Sequence, residues 1–88
     1  MKWTRQDVKA ELLKVLDQHA QAKVEINESS QIVGDLGIDS LGVMEVIADI
    51  EDKFGLHIPD EALRDVVTVG DVANAIEGRL QADGRLQG

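Results

Sequence analysis

Residues 34–55 read GDLGIDSLGVMEVIADIEDKFG, and this stretch sets the centre of the fold. Within it, apolar side chains recur at the spacing of a single helix face. They are Val43, Val46, Ile47, Ile50 and Phe54. Gly55 is a typical helix stop, and Asp39 or Ser40 can cap the start of the helix. The stretch therefore predicts a helix over residues 40–54 whose apolar face packs into a core.

The same predicted helix carries a second apolar stripe, formed by Leu41, Met44 and Ala48. Acidic residues flank this stripe, so it is not simply an extension of the core face. A helix that packs on one side needs only one apolar stripe. The apolar surface of this helix is therefore wider than packing inside a small domain requires.

Two more helices are predicted on either side of this one. Residues 4–19 follow the pattern of a helix capped by Thr4, and residues 69–80 follow Thr68 in the same way. Asp7 stands three positions after Thr4, the spacing of a capping box, and Asp71 supports the first turn of the last helix through the helix dipole. Apolar residues recur at helical spacing in both segments, so both helices are expected to face the core.

The remaining segments are short or irregular. Residues 60–65 look like a short helical segment, and residues 81–88 are polar and glycine-rich, as in a flexible tail. Residues 20–38 form a long connection that is too apolar for a disordered linker; its apolar residues are Val24, Ile26, Ile32, Val33, Leu36 and Ile38. The sequence predicts an all-α fold: one domain over residues 1–80, a small four-helix bundle of three main helices plus one short helix, with a long first loop.

The charge of the chain is concentrated in its middle. Residues 35–71 hold ten of the 17 acidic residues and two of the nine basic ones, and this segment accounts for the whole net charge of −8. Nucleic acid is a poor partner for such a surface. A basic protein surface is a suitable one.

Several classes of function are disfavoured by the composition. The chain has no cysteine, which excludes disulfides and thiolate metal sites, and no acidic segment matches a calcium loop. No signal peptide or long apolar run is present, so we expect a cytoplasmic protein without a membrane span. A catalytic Ser40 would need an adjacent base, and no motif places His19 or His57 beside it. The plain interpretation of Ser40 is a helix cap.

The string around Ser40 changes that interpretation. DLGIDSL, residues 35–41, resembles the prosthetic-group site of acyl carrier proteins, a phosphopantetheine-dependent carrier family. Downstream, VMEVIADIEDKFGLHIPDEAL is similar to the second helix of that family and the loop after it, and TVGDVANAI is similar to its last helix. The resemblance covers essentially the whole chain.

The resemblance implies that Ser40 is esterified by 4′-phosphopantetheine, which a separate transferase donates from coenzyme A. Asp39 and Leu41 complete the attachment site. The terminal thiol of the arm would carry an acyl group as a thioester, so the protein would have no catalysis of its own. Its partners would be the phosphopantetheinyl transferase and enzymes with basic patches, such as a ketosynthase, an acyltransferase or a ligase. The residues expected to face these partners are Leu41, Met44, Glu45, Ala48, Asp49, Glu51 and Asp52.

Two residues depart from the pattern of the family. Gly42 stands where carriers of fatty-acid synthesis usually have an acid, and Ile38 replaces the more usual alanine. Both changes favour a specialised pathway, such as polyketide or other secondary-metabolite assembly, over bulk fatty-acid synthesis. The capped start and the short polar tail favour a free-standing, monomeric carrier. A peptidyl or aminoacyl carrier and an unmodified acidic helical adaptor are the alternatives.

Overall fold

The computed structural model describes residues 2–20 and 25–87, and in these ranges the chain folds into a small helical bundle. Four helices and two very short strands follow one another along the described chain. They are β1 (Trp3–Thr4), α1 (Arg5–His19), α2 (Ser40–Phe54), α3 (Asp60–Leu63), α4 (Val69–Ala82) and β2 (Leu86–Gln87). The predicted bundle of three main helices and one short helix is confirmed. In the described ranges, no helix is long and apolar enough to cross a membrane.

Local capping chemistry sets the start of α1 and of α4. The Asp7 amide donates to Thr4 Oγ1 over 3.0 Å, and the Thr4 amide donates back to the Asp7 carboxylate over 3.2 Å. Thr68 and Asp71 form the same reciprocal pair at α4. Backbone N–H donors at Thr68 and Val67 hold the pKa of the Asp71 carboxyl below its ordinary value. These boxes satisfy helix N–H groups that would otherwise lack partners.

The core lies between the apolar faces of α1, α2 and α4. Its most deeply buried side chains come from these three helices and from the long loop before α2. Three loop residues, Ile32, Leu36 and Ile38, are almost fully buried and belong to the same cluster. Val33 is 62% exposed, so the loop does not bury all its apolar residues. Val24 lies outside the described residues.

The loop is fastened to the start of α4 by backbone hydrogen bonds. The Ile32 amide donates to the Val67 carbonyl over 3.0 Å, and the Val69 amide donates to the Ser30 carbonyl over 2.9 Å. Gln31 and Thr68 form an isolated antiparallel bridge. The middle of the long loop is therefore held against the segment that enters α4.

The C-terminal segment differs from the sequence-based expectation. Helix α4 runs to Ala82 and not to Leu80, and β2 pairs in parallel with β1 at the N-terminus. The Arg85 guanidinium donates to the carbonyls of Phe54 and Gly55 at the end of α2. Leu86 packs against the core cluster, which explains why a mostly polar segment adopts a fixed path. The flexibility expected of residues 81–88 stays a prediction.

Helix α3 is also shorter than expected, since it ends at Leu63 and not at residue 65. Leu63 packs on the core cluster, whereas the next two residues are exposed. The helix therefore continues only as far as it has apolar contacts to make.

Candidate functional site

Ser40 is the first residue of α2 and is exposed. Its neighbour Asp39 is the N-cap: the Asp39 carboxylate accepts from the Gly42 amide over 2.7 Å. The cap therefore belongs to Asp39, and the hydroxyl of Ser40 is not used in it. The plain interpretation of Ser40 as the cap is wrong, because Ile38 must point into the core and this places Asp39, and not Ser40, at the cap position.

Two buried side chains anchor the backbone before Ser40. Leu36 and Ile38 are buried, with relative exposures of 0% and 1%. Between them Gly37 has a φ of 70°, a conformation that glycine adopts without strain. The two buried side chains and this turn fix the direction in which residue 40 leaves the core.

Gly42 and Ile38, the two departures from the family pattern, are in contact. A Cβ atom built on Gly42 would lie 2.7 Å from Ile38 Cγ2 and 3.2 Å from the Asp39 carboxylate. The Ile38 side chain is β-branched and buried, so it has little freedom to move away. Ile38 therefore excludes a side chain at position 42, and the first turn of α2 is bare on that flank.

On one flank of α2 lies an apolar cavity of about 200 Å³, here called the α3-side cavity. It is bordered by α2, by α3, by the long loop before α2 and by the segment between α3 and α4. Its lining residues are Gln31, Ile32, Val33, Gly34, Val43, Leu63, Val66 and Val67. Most of these side chains are aliphatic, so the cavity suits an apolar ligand.

On the other flank lies a second depression of about 220 Å³, here called the α1-side groove. Its lining residues are His19, Ile38, Asp39, Leu41, Gly42 and Glu45. His19 Nε2 lies 2.8 Å from the Asp49 carboxylate, and Nδ1 lies 3.7 Å from the Glu45 carboxylate. The groove is lined by the His19 imidazole and by the Asp39 and Glu45 carboxylates, whereas the α3-side cavity is lined mostly by aliphatic side chains.

The outer face of α2 shows the second apolar stripe in full. Leu41 is 66% exposed and Met44 is 70% exposed, and Ala48 is also exposed. They lie on the face opposite Val46 and Ile50, which are buried. Exposed large apolar residues that are grouped on one face are typical of an interaction surface.

The four acids expected on this surface differ in their contacts. Glu45, Asp49 and Asp52 are exposed, although Asp49 is paired with His19. Glu51 is half-buried, and its carboxylate accepts from the Ile58 amide over 2.8 Å and lies 3.0 Å from His57 Nδ1. Glu51 therefore fixes the loop after α2, and three acids remain to face solvent.

Comparison with known proteins places the chain in a family. Residues 6–76 match the family described as "Phosphopantetheine attachment site". The chain belongs to the acyl carrier protein family. It is 40% identical over 72 residues to an acyl carrier protein of Helicobacter pylori, covering 82% of this chain and 88% of that protein. It is 36% identical over 78 residues to that of Thermobifida fusca, covering 88% and 99%.

A solved structure gives the same result. The acyl carrier protein of Enterococcus faecalis superposes with a TM-score of 0.73 at 31% identity, covering 88% of this chain and 99% of that one. Members of this family are carriers and not catalysts, and they hold a covalently attached 4′-phosphopantetheine. Their partners include a phosphopantetheinyl transferase and acyl-processing enzymes.

The residues at the start of α2 fit such a group. Ser40 presents an exposed hydroxyl at the N-terminus of the helix, where the helix dipole favours a phosphate. Gly42 adds no side chain beside that hydroxyl. The group supplies a flexible arm with a terminal thiol, which this cysteine-free chain lacks.

Sequence reasoning missed two features of this site. His19 is 30 residues from Asp49 in the chain, and no local pattern indicates that contact. The clash that forbids a side chain at Gly42 was also missed, although Ile38 and Gly42 had both been singled out. Their spacing of four residues near a helix start was the available signal.

Proposed function

We propose that the chain carries acyl intermediates as thioesters on a 4′-phosphopantetheine arm attached to Ser40, with Asp39 and Leu41 completing the attachment site. It delivers them to enzymes of fatty-acid, polyketide or other secondary-metabolite biosynthesis. The single observation that carries this proposal is the placement of Ser40: exposed, first in α2 and not used as a cap. The family match supplies the chemistry.

Asp39 prepares the site by capping α2. Because its carboxylate satisfies the Gly42 amide, the first turn is ordered before any group is attached. The Ser40 side chain then points from a fixed helix end into solvent. A transferase can reach the hydroxyl without unfolding the helix, and Gly42 presents no side chain in its path.

The α3-side cavity is the proposed resting place of the acyl chain. Val43 lies one turn after Asp39 on α2, and Leu63 and Val66 close the far side. Burying an alkyl chain there removes about 0.8 kcal/mol of unfavourable hydration per CH₂ group. A short, apolar cargo is therefore expected to fold back against the bundle between transfer steps.

The outer face of α2 is the proposed docking surface. Leu41, Met44 and Ala48 supply its apolar centre, and Glu45, Asp49 and Asp52 supply charges for basic patches on successive enzymes. Glu51 contributes less, because its carboxylate is bound to the Ile58 amide. Rim charges raise encounter rates more than they lower dissociation rates, which suits a carrier that must leave each partner.

The coupled pair Ile38 and Gly42 supports a specialised pathway. The pair removes the charge that carriers of fatty-acid synthesis usually present just after the serine, so partners must recognise this turn differently. Polyketide or other secondary-metabolite assembly fits that change better than bulk fatty-acid synthesis. We place the carrier in the cytoplasm as a monomer, which cell fractionation and size-exclusion chromatography can check.

Intact-mass measurement tests the attachment. The protein is incubated with coenzyme A and a broad-specificity phosphopantetheinyl transferase, and Ser40→Ala and Ser29→Ala variants are treated in parallel. The proposal expects one phosphopantetheine increment on the wild type and on Ser29→Ala, and none on Ser40→Ala. An unmodified wild-type protein would instead support an acidic adaptor, and aminoacyl loading by partner enzymes would support a peptidyl carrier.

A further inference from the structure

We infer that Gln31 discriminates between cargoes: its side-chain amide binds an oxygen on the third carbon of the acyl chain, so that the carrier favours β-keto and β-hydroxy acyl groups over plain alkyl ones. This inference rests on the proposed function, because it concerns an acyl chain that is joined to Ser40 by the arm and lies in the α3-side cavity. It adds a class of cargo to that proposal.

The wall of the α3-side cavity contains one polar side chain among the described residues. Gln31 supplies it, and the other residues that line the cavity are aliphatic or glycine. A polar group in an otherwise apolar site fixes the orientation of a ligand and gives the site its specificity. A glutamine amide can donate to a keto oxygen and can accept from a hydroxyl, so either oxygen can bind it.

Gln31 lies at the open side of the cavity. It is exposed, as are Val33 and Val67 on the same rim, each more than half exposed, whereas Ile32 is almost fully buried at the inner side. A chain whose tail lies inside the cavity is bonded to the arm through its thioester, so the thioester end stays at the rim. The carbons next to the thioester therefore lie near the amide of Gln31, and the tail contacts the aliphatic wall.

The backbone of Gln31 is held by several hydrogen bonds. Its amide donates to the Asp35 carboxylate over 2.7 Å, and its carbonyl accepts from the amides of Asp35 and Leu36 over 2.9 and 3.1 Å. Gln31 also forms the antiparallel bridge with Thr68. The point from which the side chain starts is therefore fixed, which lowers the entropic cost of binding a ligand there.

Gly34 allows the Gln31 side chain to lie against the cavity. A Cβ atom built on Gly34 would lie 2.7 Å from Gln31 Oε1 and 3.6 Å from Gln31 Cβ, so the side chain is folded across the glycine, and both residues line the cavity. The φ of Gly34 is not positive, so its backbone conformation does not require glycine. The missing side chain at position 34 is therefore explained by the place of the Gln31 amide.

Urea unfolding of the protein loaded with two different cargoes tests the inference. The wild type, Gln31→Met and Gln81→Met are each loaded with a hexanoyl and with a 3-oxohexanoyl group, which differ by one keto oxygen. Methionine is unbranched like glutamine and lacks the amide. Gln81 is exposed on α4 and does not line the cavity, so Gln81→Met is the matched control. A contact made only in the folded state lowers the unfolding constant, so no enzyme is needed for the measurement.

The ratio of the unfolding constant of the hexanoyl form to that of the 3-oxohexanoyl form should be about 2- to 10-fold larger in the wild type and in Gln81→Met than in Gln31→Met, the effect of one net hydrogen bond. Gly34→Ala should lower the ratio as Gln31→Met does, because its Cβ displaces the amide. The ratio compares two cargoes on the same variant, so a general loss of stability does not change it.

NMR of the wild type loaded with the 3-oxohexanoyl group gives a second readout. Nuclear Overhauser contacts should join the side-chain amide protons of Gln31 to the chain protons that flank the keto group. Equal ratios in the wild type and in Gln31→Met would overturn the inference while leaving the attachment intact. A protein that gains no arm in the mass measurement would instead overturn the proposed function, and the role of Gln31 with it.

Discussion

The two flanks of α2 differ in their chemistry, although the residues that face them are adjacent in the sequence. Val43 faces the α3-side cavity among aliphatic side chains, whereas Gly42, one position earlier, faces a groove lined by His19 and Glu45. Successive residues point about 100° apart on a helix, so neighbours in sequence border different environments. The start of α2 thus separates an apolar cavity from a polar groove, with Ser40 between them.

The largest expected effect comes from changing Ile38 and Gly42, because a Cβ at position 42 would lie 2.7 Å from Ile38 Cγ2. Gly42→Ala alone should destabilise the protein by about 1–3 kcal/mol through overpacking against Ile38. Ile38→Ala alone should cost about 2–5 kcal/mol because it leaves a cavity in the core. In the Ile38→Ala background, Gly42→Ala should instead stabilise by up to about 1 kcal/mol, since alanine favours a helix more than glycine does.

Urea unfolding of the four proteins completes this double-mutant cycle. A change of sign for Gly42→Ala between the two backgrounds is the expected result. If Gly42→Ala stabilised both backgrounds equally, Ile38 would not be the reason for the bare flank.

A smaller effect is expected when the charges that flank the outer stripe are reversed. Glu45→Lys combined with Asp52→Lys should slow loading by the transferase roughly tenfold at low salt, because both charges attract basic partner surfaces. At high salt the difference should shrink as screening removes the attraction. Initial rates of phosphopantetheine transfer at two salt concentrations measure both effects.

Glu51→Gln provides a comparison at the fourth acid expected on this surface. Its carboxylate is bound to the Ile58 amide, so the change should lower stability more than it lowers the transfer rate. Unchanged rates for the double reversal at low salt would mean that these acids form only a solvated face.

Removing the N-cap of α4 should change the surroundings of the α3-side cavity and leave the α1-side groove unchanged. Thr68→Ala should cost about 1 kcal/mol of stability. The residues around Thr68 hold Gln31 and Ile32, which line the α3-side cavity. Methyl and amide chemical shifts should therefore move around the α3-side cavity, while those of Gly42 and Glu45 stay in place. If the signals of Gly42 and Glu45 shifted as much as those around the α3-side cavity, the effect of the cap would not be confined to that flank of α2.

The smallest expected effect is on the stability of the protein at acidic pH. The pKa of Asp71 is lowered from its ordinary 3.8 by backbone hydrogen bonds, so its ionised form stabilises the folded state. This stabilisation is complete above about pH 4 and is lost as the pH falls through the lowered folded-state value. Asp71→Asn should lack this part of the acid dependence when urea midpoints are compared from neutral to acidic pH, and Asp52→Asn should retain it. If the urea midpoints of the wild type and of Asp71→Asn fell in parallel as the pH is lowered, Asp71 would not contribute to the acid dependence.

Much of the fold could be predicted because its signals are local. The reciprocal bonds of Thr4 with Asp7 and of Thr68 with Asp71 span three residues, and Gly55 ends α2 in the left-handed conformation that glycine favours. Apolar periodicity placed the core faces for the same reason. The identity of the cap of α2 was less certain, because Asp39 and Ser40 are both good caps and only the burial of Ile38 decides between them.

The rest depends on contacts between distant residues. Arg85 binds the end of α2 across 30 residues, and Leu86 pairs with Trp3 across nearly the whole chain. A single leucine and arginine in a polar segment give no periodic signal, so the strand pair was not expected. The contact of Glu51 with Ile58 likewise depends on the path of a loop that local propensity does not determine.

The proposed place of the acyl chain is tested most directly by NMR spectra of three forms of the protein: unmodified, loaded with the arm, and loaded with an arm that carries an acyl chain. Attaching the arm should shift amide signals of the residues next to Ser40. Adding the acyl chain should then shift the methyl signals of Val43, Leu63 and Val66, which line the α3-side cavity. If the acyl chain moved no methyl signal, the cavity would not hold it.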